Sequence, residues 1–212
     1  MSATIYVAST NPGKLRDFVV AAEALDDSEA VTFQPFPGMN DIPPAPENEC
    51  TFEANARSKA IYYSCLLSGE LVLADDSGLE VDALQSAPGV RSARYAADEG
   101  LVLNESETVD EANNRLLLVK MKEIPAEKRR ARYHCVLALA KDGECLLMGD
   151  GSVEGDILTE PIGTGGFGYD PLFFLPRFQK TMAEIDLETK HELSHRGRAI
   201  RSLLEQFRHK MV

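Results

Sequence analysis

Apolar and polar positions along this chain alternate between a strand period and a helix period. Residues 4–8 (Thr4-Ile5-Tyr6-Val7-Ala8) are apolar and β-branched and predict a buried first strand. Asn11-Pro12-Gly13 interrupts it, and Leu15, Phe18, Val19, Ala22 and Leu25 then recur at helical spacing over 14–25. Pro35, Pro37, Pro43, Pro44 and Pro46 make 34–48 an extended loop. A helix is expected over 51–67, with Thr51, Asn55 and Lys59 along one side. Residues 71–74 read as a strand, 75–78 as a turn and 79–84 as a second strand, followed by a largely irregular stretch over 85–107. Thr108-Val109-Asp110-Glu111 is a capping-box signal opening a helix to about residue 121, with Leu116, Leu117 and Val119 inward. Two further strands, 132–140 and 145–154, flank the hairpin turn Lys141-Asp142-Gly143-Glu144. A glycine-rich loop at 163–168 precedes Asp170-Pro171 and the apolar run Leu172-Phe173-Phe174-Leu175, and Ser194 caps a last helix to about residue 209. There is no internal repeat and no low-complexity tail. Strands and helices mix without strict alternation, so an α/β or α+β body around one long mixed sheet is expected, with two lobes and a cleft as one way to arrange it.

Composition narrows the class. The 212 residues are 44% hydrophobic, enough to bury a full core. No apolar run reaches about 18 residues, so no bilayer span is expected, and no signal peptide is read at the N-terminus. The net charge of −12 argues against general nucleic-acid binding, which needs a basic face. Any anion site must therefore be locally basic or carry a metal. The four cysteines, Cys50, Cys65, Cys135 and Cys145, lack metal-ligand spacing. They are read as small core residues in a reducing compartment.

Chemistry concentrates in four places. The first is Ala74-Asp75-Asp76-Ser77-Gly78, where adjacent carboxylates suit a divalent cation; neighbours in a strand point to opposite faces, so one binds or activates while the other supports. A turn held by aspartate side-chain hydrogen bonds is the alternative. Glu47 or Glu49 offers a third carboxylate, and Mg²⁺ needs only one or two when the substrate brings phosphates. The second is Ser9-Thr10-Asn11-Pro12-Gly13-Lys14, a strand–turn–helix geometry that aims N–H groups at an anion, though it is not the Gly-x4-Gly-Lys phosphate loop. Third, Gly165-Gly166-Phe167-Gly168-Tyr169-Asp170 lets backbone approach a planar ligand and leaves a ring to stack on it. An ordinary loop docking its aromatics in the core is the alternative there. Last, Ser194-His195-Arg196-Gly197-Arg198 offers donors and positive charge at a helix start. His134 alternates with apolar residues in a strand and is read as structural.

Taken in order, these segments resemble the inosine/xanthosine triphosphate pyrophosphatase family, which acts on non-standard purine nucleotides. The resemblance rests on Ala8 to Lys14, Thr51-Phe52-Glu53-Ala54-Asn55-Ala56 with Lys59, Ala74 to Leu84, and Pro88-Gly89-Val90 with Ser92-Ala93-Arg94-Tyr95. It continues through Gly166-Phe167-Gly168-Tyr169-Asp170-Pro171, Lys180-Thr181-Met182-Ala183-Glu184 and Ser194 to Ala199. It implies one domain over 1–212, an elongated two-lobed α/β fold of mixed α+β character around a long central mixed sheet, and an active-site cleft between the lobes. It also implies a cytoplasmic homodimer that uses Mg²⁺ to cleave the α–β phosphate bond of ITP, dITP and XTP. By the same resemblance Ser9, Thr10, Asn11, Pro12, Gly13 and Lys14 cradle the triphosphate. Asp76 is the proton acceptor and a metal ligand, and Ser77 an adjacent substrate contact. Glu47 matches the other acidic metal position, although the usual glycine-containing spacer is replaced by Asn48-Glu49-Cys50 and Glu49 is the alternative. Asn55, Lys59 and Arg94 join the substrate-binding set. Phe167, Gly168, Tyr169, Asp170, Lys190, His195 and Arg196 match the base side. A broad nucleotide phosphatase and a non-catalytic purine-nucleotide-binding protein are the rival readings.

Overall fold

The computed structural model describes residues 3–23, 31–186, 189–190 and 193–211. Its order begins with β1 (Ala3–Val7), α1 (Pro12–Glu23), β2 (Val31–Pro35), α2 (Phe52–Ser64) and β3 (Leu71–Val81). A short α3 (Tyr95–Asp98), α4 (Val109–Lys120), β4 (Arg130–Lys141) and β5 (Glu144–Ile157) follow, then β6 (Phe173–Leu175), β7 (Lys180–Thr181) and α5 (His195–Met211). Among the described residues the strands form one seven-stranded sheet in the order β2-β1-β3-β4-β5-β6-β7. The sheet is mixed: β1 runs parallel to β2 and β3, whereas β6 is antiparallel to β5 and β7. The mixed α/β class read from the sequence holds.

Two compact units divide the chain, Met1–Asp76 with Cys135–Ser152 and His191–Val212, and Ser77–His134 with Val153–Lys190. In the first unit Ile5, Val7, Leu73, Leu137 and Leu139 from the strands pack with Phe18 of α1 and Ile200, Leu203 and Phe207 of α5. Glycines on β5 let α5 lie close: a Cβ at Gly149 would come within 2.5 Å of the Ala199 carbonyl oxygen, and one at Gly151 within 2.5 Å of the Ala199 nitrogen. Arg198, Gln206 and Lys210 of α5 then donate to the β5 carbonyls of Ser152, Met148 and Leu146. In the second unit Leu79, Val81, Leu117, Met121, Tyr133, Leu172 and Phe173 form the core. Among the described residues no carboxylate pairs with buried Arg129; its guanidinium donates to the carbonyls of Met121, Ile124, Ile157 and Leu158. Burial depresses its pKa.

Local signals are met where one element decides them. Thr108 and Glu111 form the reciprocal capping box. Ser194 Oγ accepts from Gly197 N at 2.9 Å at the start of α5. Asp142 and Gly143 both have positive φ, 50° and 82°, as a two-residue hairpin turn requires.

Several expectations are corrected. Asp75 to Gly78 is not a turn, since Leu71–Val81 is one continuous strand and a 3₁₀ turn follows at Asp82–Leu84. β1 pairs with β3 at Leu71, Val72 and Leu73, and beyond them side chains take up backbone groups, Lys59 donating to the Asp75 carbonyl. Gly78 serves close approach instead: Ser92 Oγ accepts from Leu79 N and donates to the Gly89 carbonyl right beside it. A Cβ there would lie 2.5 Å from the Gly89 oxygen. Gly78→Ala is expected to cost about 1–3 kcal/mol by overpacking. Its denaturant midpoint checks this, and an unshifted midpoint would show that the Ser92 turn yields freely.

β2 was hidden in a polar stretch, although Val31 and Phe33 are buried and Thr32 and Gln34 exposed, a strand period. The second helix stops at Ser64, short of residue 67. Val119 is 66% exposed and Met121 takes the inward place. Of the cysteines, Cys135 is buried, Cys145 half-buried, and Cys50 and Cys65 exposed. Cys65 is the C-cap of α2, where the chain leaves its packed face. Leu25, expected to end the first helix, lies outside the described residues.

Candidate active site

The polar cluster of the first unit is built at the end of β1 and the middle of β3. β1 stops at Val7 and the chain turns into α1 with Pro12 at its first position, where a missing N–H costs nothing. Asn11 caps this helix, its Oδ1 accepting from Gly13 N at 2.8 Å, and Ser9 Oγ accepts from Asn11 N at 3.1 Å. Thr10 and Asn11 are exposed and Ser9 is half-buried. Lys14 leaves the first turn of α1 and its ammonium contacts both oxygens of Asp75, at 2.9 and 2.8 Å.

From α2, Asn55 and Lys59 stand one turn apart and reach the same carboxylate. Thr51 caps the helix by accepting from Ala54 N. Buried Asn55 donates to Asp76 Oδ2 at 2.9 Å, and its oxygen accepts from Glu49 N at 3.1 Å. Lys59 donates to the Asp75 carbonyl at 2.9 Å and to Asp76 Oδ1 at 3.3 Å. The same ammonium also meets Glu47 Oε1 at 2.5 Å. Thus Glu47 turns its side chain to the cluster, whereas Glu49 uses its backbone to hold Asn55. α5 brings His195 and Arg196, both buried.

The two adjacent carboxyls have opposite electrostatic fates. Burial opposes ionisation of Asp75, but Lys14, Arg196 and Lys59 outweigh it and hold the carboxyl at about 2. At Asp76 burial wins and the pKa rises, with Lys59 and Asn55 offsetting part of the effect and the charge of Glu47 adding to it. Lys59 is raised: burial acts against it, but Asp76, Glu47 and Asp75 together prevail. Neighbouring titratable groups pushed apart in this way can take different roles, one a fixed anion and one a proton acceptor.

A metal fits this donor set in one respect. Glu47 and Asp76 converge on a single cationic atom, so a small divalent ion could share them. No group of three or more His, Cys, Asp or Glu at metal-holding spacing exists among the described residues. Such a sparse set suits an ion that takes its other ligands from phosphates and water.

The second unit carries the glycine-rich loop. Gly166 and Gly168 have φ of 78° and 61°. Phe167 is 53% exposed. Tyr169 is buried instead, and its hydroxyl donates to the Ser92 carbonyl at 2.8 Å. Burial pushes its phenol pKa up. Asp170, also buried, accepts from Tyr133 at 3.0 Å, from Lys190 and from Phe167 N at 3.2 Å. Arg94 donates to Asp98 at 3.1 Å on the surface. Ser77 lies half-buried on β3. Nothing in the sequence patterns marked the Asp75–Lys14 pair; only the pairing of β1 with β3 brings them together.

Fold and cluster together define a mixed α/β enzyme whose buried carboxylates are matched to fixed ammonium groups. The profile of the Ham1 family matches residues 5–206. A dITP/XTP pyrophosphatase of Acidobacterium capsulatum is 54% identical over 96% of this chain and 98% of its own. One from Geobacter sulfurreducens is 44% identical, with 92% of each chain covered. Among solved structures, the Staphylococcus aureus Ham1 protein superposes with a TM-score of 0.79 at 37% identity, covering 99% of this chain and 100% of that one. The nucleoside-triphosphatase / dITP/XTP pyrophosphatase of Mycobacterium abscessus gives 0.71 at 38% identity, covering 96% and 99%. This chain belongs to the Ham1 family.

Proposed function

We propose that this protein hydrolyses dITP, ITP and XTP to the nucleoside monophosphate and pyrophosphate, removing non-standard purines from the nucleotide pool. The observation that carries the reading is the electrostatic split on β3, with Asp75 a fixed anion and Asp76 raised by burial. Full-length likeness to proteins named dITP/XTP pyrophosphatase supports the substrate class.

Water attacks the α-phosphorus and gives its proton to Asp76. Its oxygen stays on the monophosphate, and the α–β bridging bond breaks with its electron pair on the departing pyrophosphate. Lys14 and Lys59 hold the charge that builds there, and Asp75 keeps Lys14 in place. Ser9, Thr10, Asn11, Pro12 and Gly13 form the phosphate turn around Lys14. Glu47 and Asp76 are the residues that would hold Mg²⁺, and Glu47 is preferred to Glu49 because its carboxylate already lies on the cation shared with Asp76. When bound, that ion neutralises phosphate charge. Asn55 orients Asp76.

Selectivity lies with the purine edge. Donors from His195 and Arg196 pair with the 6-oxygen of hypoxanthine or xanthine and face a donor in adenine, a mismatch that costs orders of magnitude. The ring of Phe167 stacks on the base, with Gly168, Tyr169, Asp170 and Lys190 shaping its support, and Ser77 and Arg94 complete the substrate set. The chain works as one domain over 1–212, as a cytoplasmic homodimer without nucleic-acid partners. Among its described residues no helix is long and apolar enough to cross a membrane.

The test is product analysis. With Mg²⁺, dITP, ITP and XTP are expected to release pyrophosphate, with GTP and ATP poor substrates. Chelation should stop turnover and added Mg²⁺ restore it. Orthophosphate release, or equal rates on all five nucleotides, would replace this reading with a broad phosphatase.

A further inference from the structure

We infer that Asp110 and Asn114 are positioning residues that pre-set the Phe167 ring for stacking on the substrate base. The inference rests on the function proposed above and adds residues outside the motifs that suggested it.

Phe167 combines two features that seldom occur together. The residue is 53% exposed, yet its backbone is held on both sides. On one side its own N–H donates to Asp170 Oδ2 at 3.2 Å, a carboxylate buried and fixed by Tyr133 and Lys190. On the other side the next peptide is held by α4: Gly168 N donates to Asp110 Oδ2 at 2.7 Å, and Asn114 Nδ2 donates to the Gly168 carbonyl at 2.9 Å. Asp110 and Asn114 are four residues apart, so one helix face grips both polar groups of a single glycine.

That helix is itself anchored. The Thr108–Glu111 capping box sets where α4 begins. Buried Asn113 fastens its next face, accepting from Ala96 N at 2.8 Å and donating to the Ala93 carbonyl at 3.3 Å. A loop of glycines with positive φ would otherwise leave the ring many orientations to lose on binding. Holding the peptide beforehand removes that cost from the bound state. A rigidly presented, exposed aromatic is what stacking on a flat base uses.

Steady-state kinetics on dITP test this, with inorganic tripolyphosphate as a competitive inhibitor that lacks a base. Asp110→Ala is expected to raise KM for dITP about tenfold, a fraction of a base–aromatic stack, with kcat within about twofold. The inhibition constant of tripolyphosphate should not move. Asp110→Asn, which keeps an acceptor at the same place, should recover most of the loss. In a Phe167→Ala background, Asp110→Ala should add nothing further. Hydrogen exchange should show the Gly168 amide losing protection in Asp110→Ala. Equal weakening of dITP and tripolyphosphate, or a full Asp110→Ala effect without the Phe167 ring, would overturn the clamp. An active wild type with an unchanged Asp110→Ala would overturn the clamp alone, whereas a wild type inert towards dITP would overturn the functional reading beneath it.

Discussion

Asp76→Asn is expected to lower kcat on dITP by about 10²- to 10⁴-fold, the usual worth of a positioned proton acceptor. The amide keeps the shape of the carboxyl, and its single acceptor oxygen can still accept from Lys59 while the bond from Asn55 is given up. Stability should not fall with activity. Burial raises the Asp76 pKa, with Lys59 and Asn55 offsetting part of that and Glu47 adding to it, so ionising this group in the fold is unfavourable. A raised carboxyl pKa reduces stability as pH climbs above the unfolded value, and Asn removes that penalty. The melting temperature at neutral pH should therefore be unchanged or higher. The acidic limb of kcat/KM, which falls in wild type as Asp76 is protonated, should be absent from the variant. Near-normal kcat with Mg²⁺ would remove Asp76 from the mechanism.

Asp75→Ala should act on the fold as well as the reaction. It strips the buried counter-charge from half-buried Lys14 and buried Arg196 and is expected to cost about 3 kcal/mol, the lower end of what breaking a buried pair does. The pH dependence carries a definite sign. The Asp75 carboxyl sits at about 2 in the fold against an ordinary 3.8. Its lowered pKa contributes about 2 kcal/mol that is fully present above the unfolded value and is lost as pH falls from about 4 through 2. Wild type and Asp75→Ala should therefore differ most at neutral pH and converge on acidification. Denaturant unfolding at neutral pH and near pH 3 measures both. A gap of equal size at the two pH values would show that lost packing, rather than lost charge pairing, causes the effect.

The adjacent carboxylates illustrate how far local reading reaches. Their types and spacing announced divalent-cation or proton chemistry, and the rule that strand neighbours face opposite ways separated their duties. The expected turn at 75–78 was nevertheless wrong. Aspartate, serine and glycine read as turn formers when only sequence neighbours are considered. In the sheet this segment belongs to β3, which has β4 as a neighbour, and Gly78 is used to admit Ser92 and Gly89. Tertiary pairing overrode propensity. The glycine-rich loop divides in the same way. Its glycines and aromatics were visible, but Tyr169 turns inward to Ser92 while Phe167 remains outside, and Asp110 and Asn114 lie more than fifty residues earlier in the chain.

What the sequence by itself determined is everything that a few neighbouring residues decide. The capping box at Thr108, the Ser194 cap, the Asp142-Gly143 hairpin and the order of the phosphate, carboxylate, aromatic and Ser-His-Arg segments all belong there. These features depend on short-range geometry and on residue chemistry, both written locally. Only the tertiary structure decided which cation meets which carboxylate. Lys14 falls to Asp75 because β1 lies beside β3, and Lys59 falls to Asp76 and Glu47 because α2 faces the same strand. Burial and Coulomb interactions are sums over neighbours distant in sequence, so the division between a fixed anion and a raised, titrating acid exists only once the chain has folded.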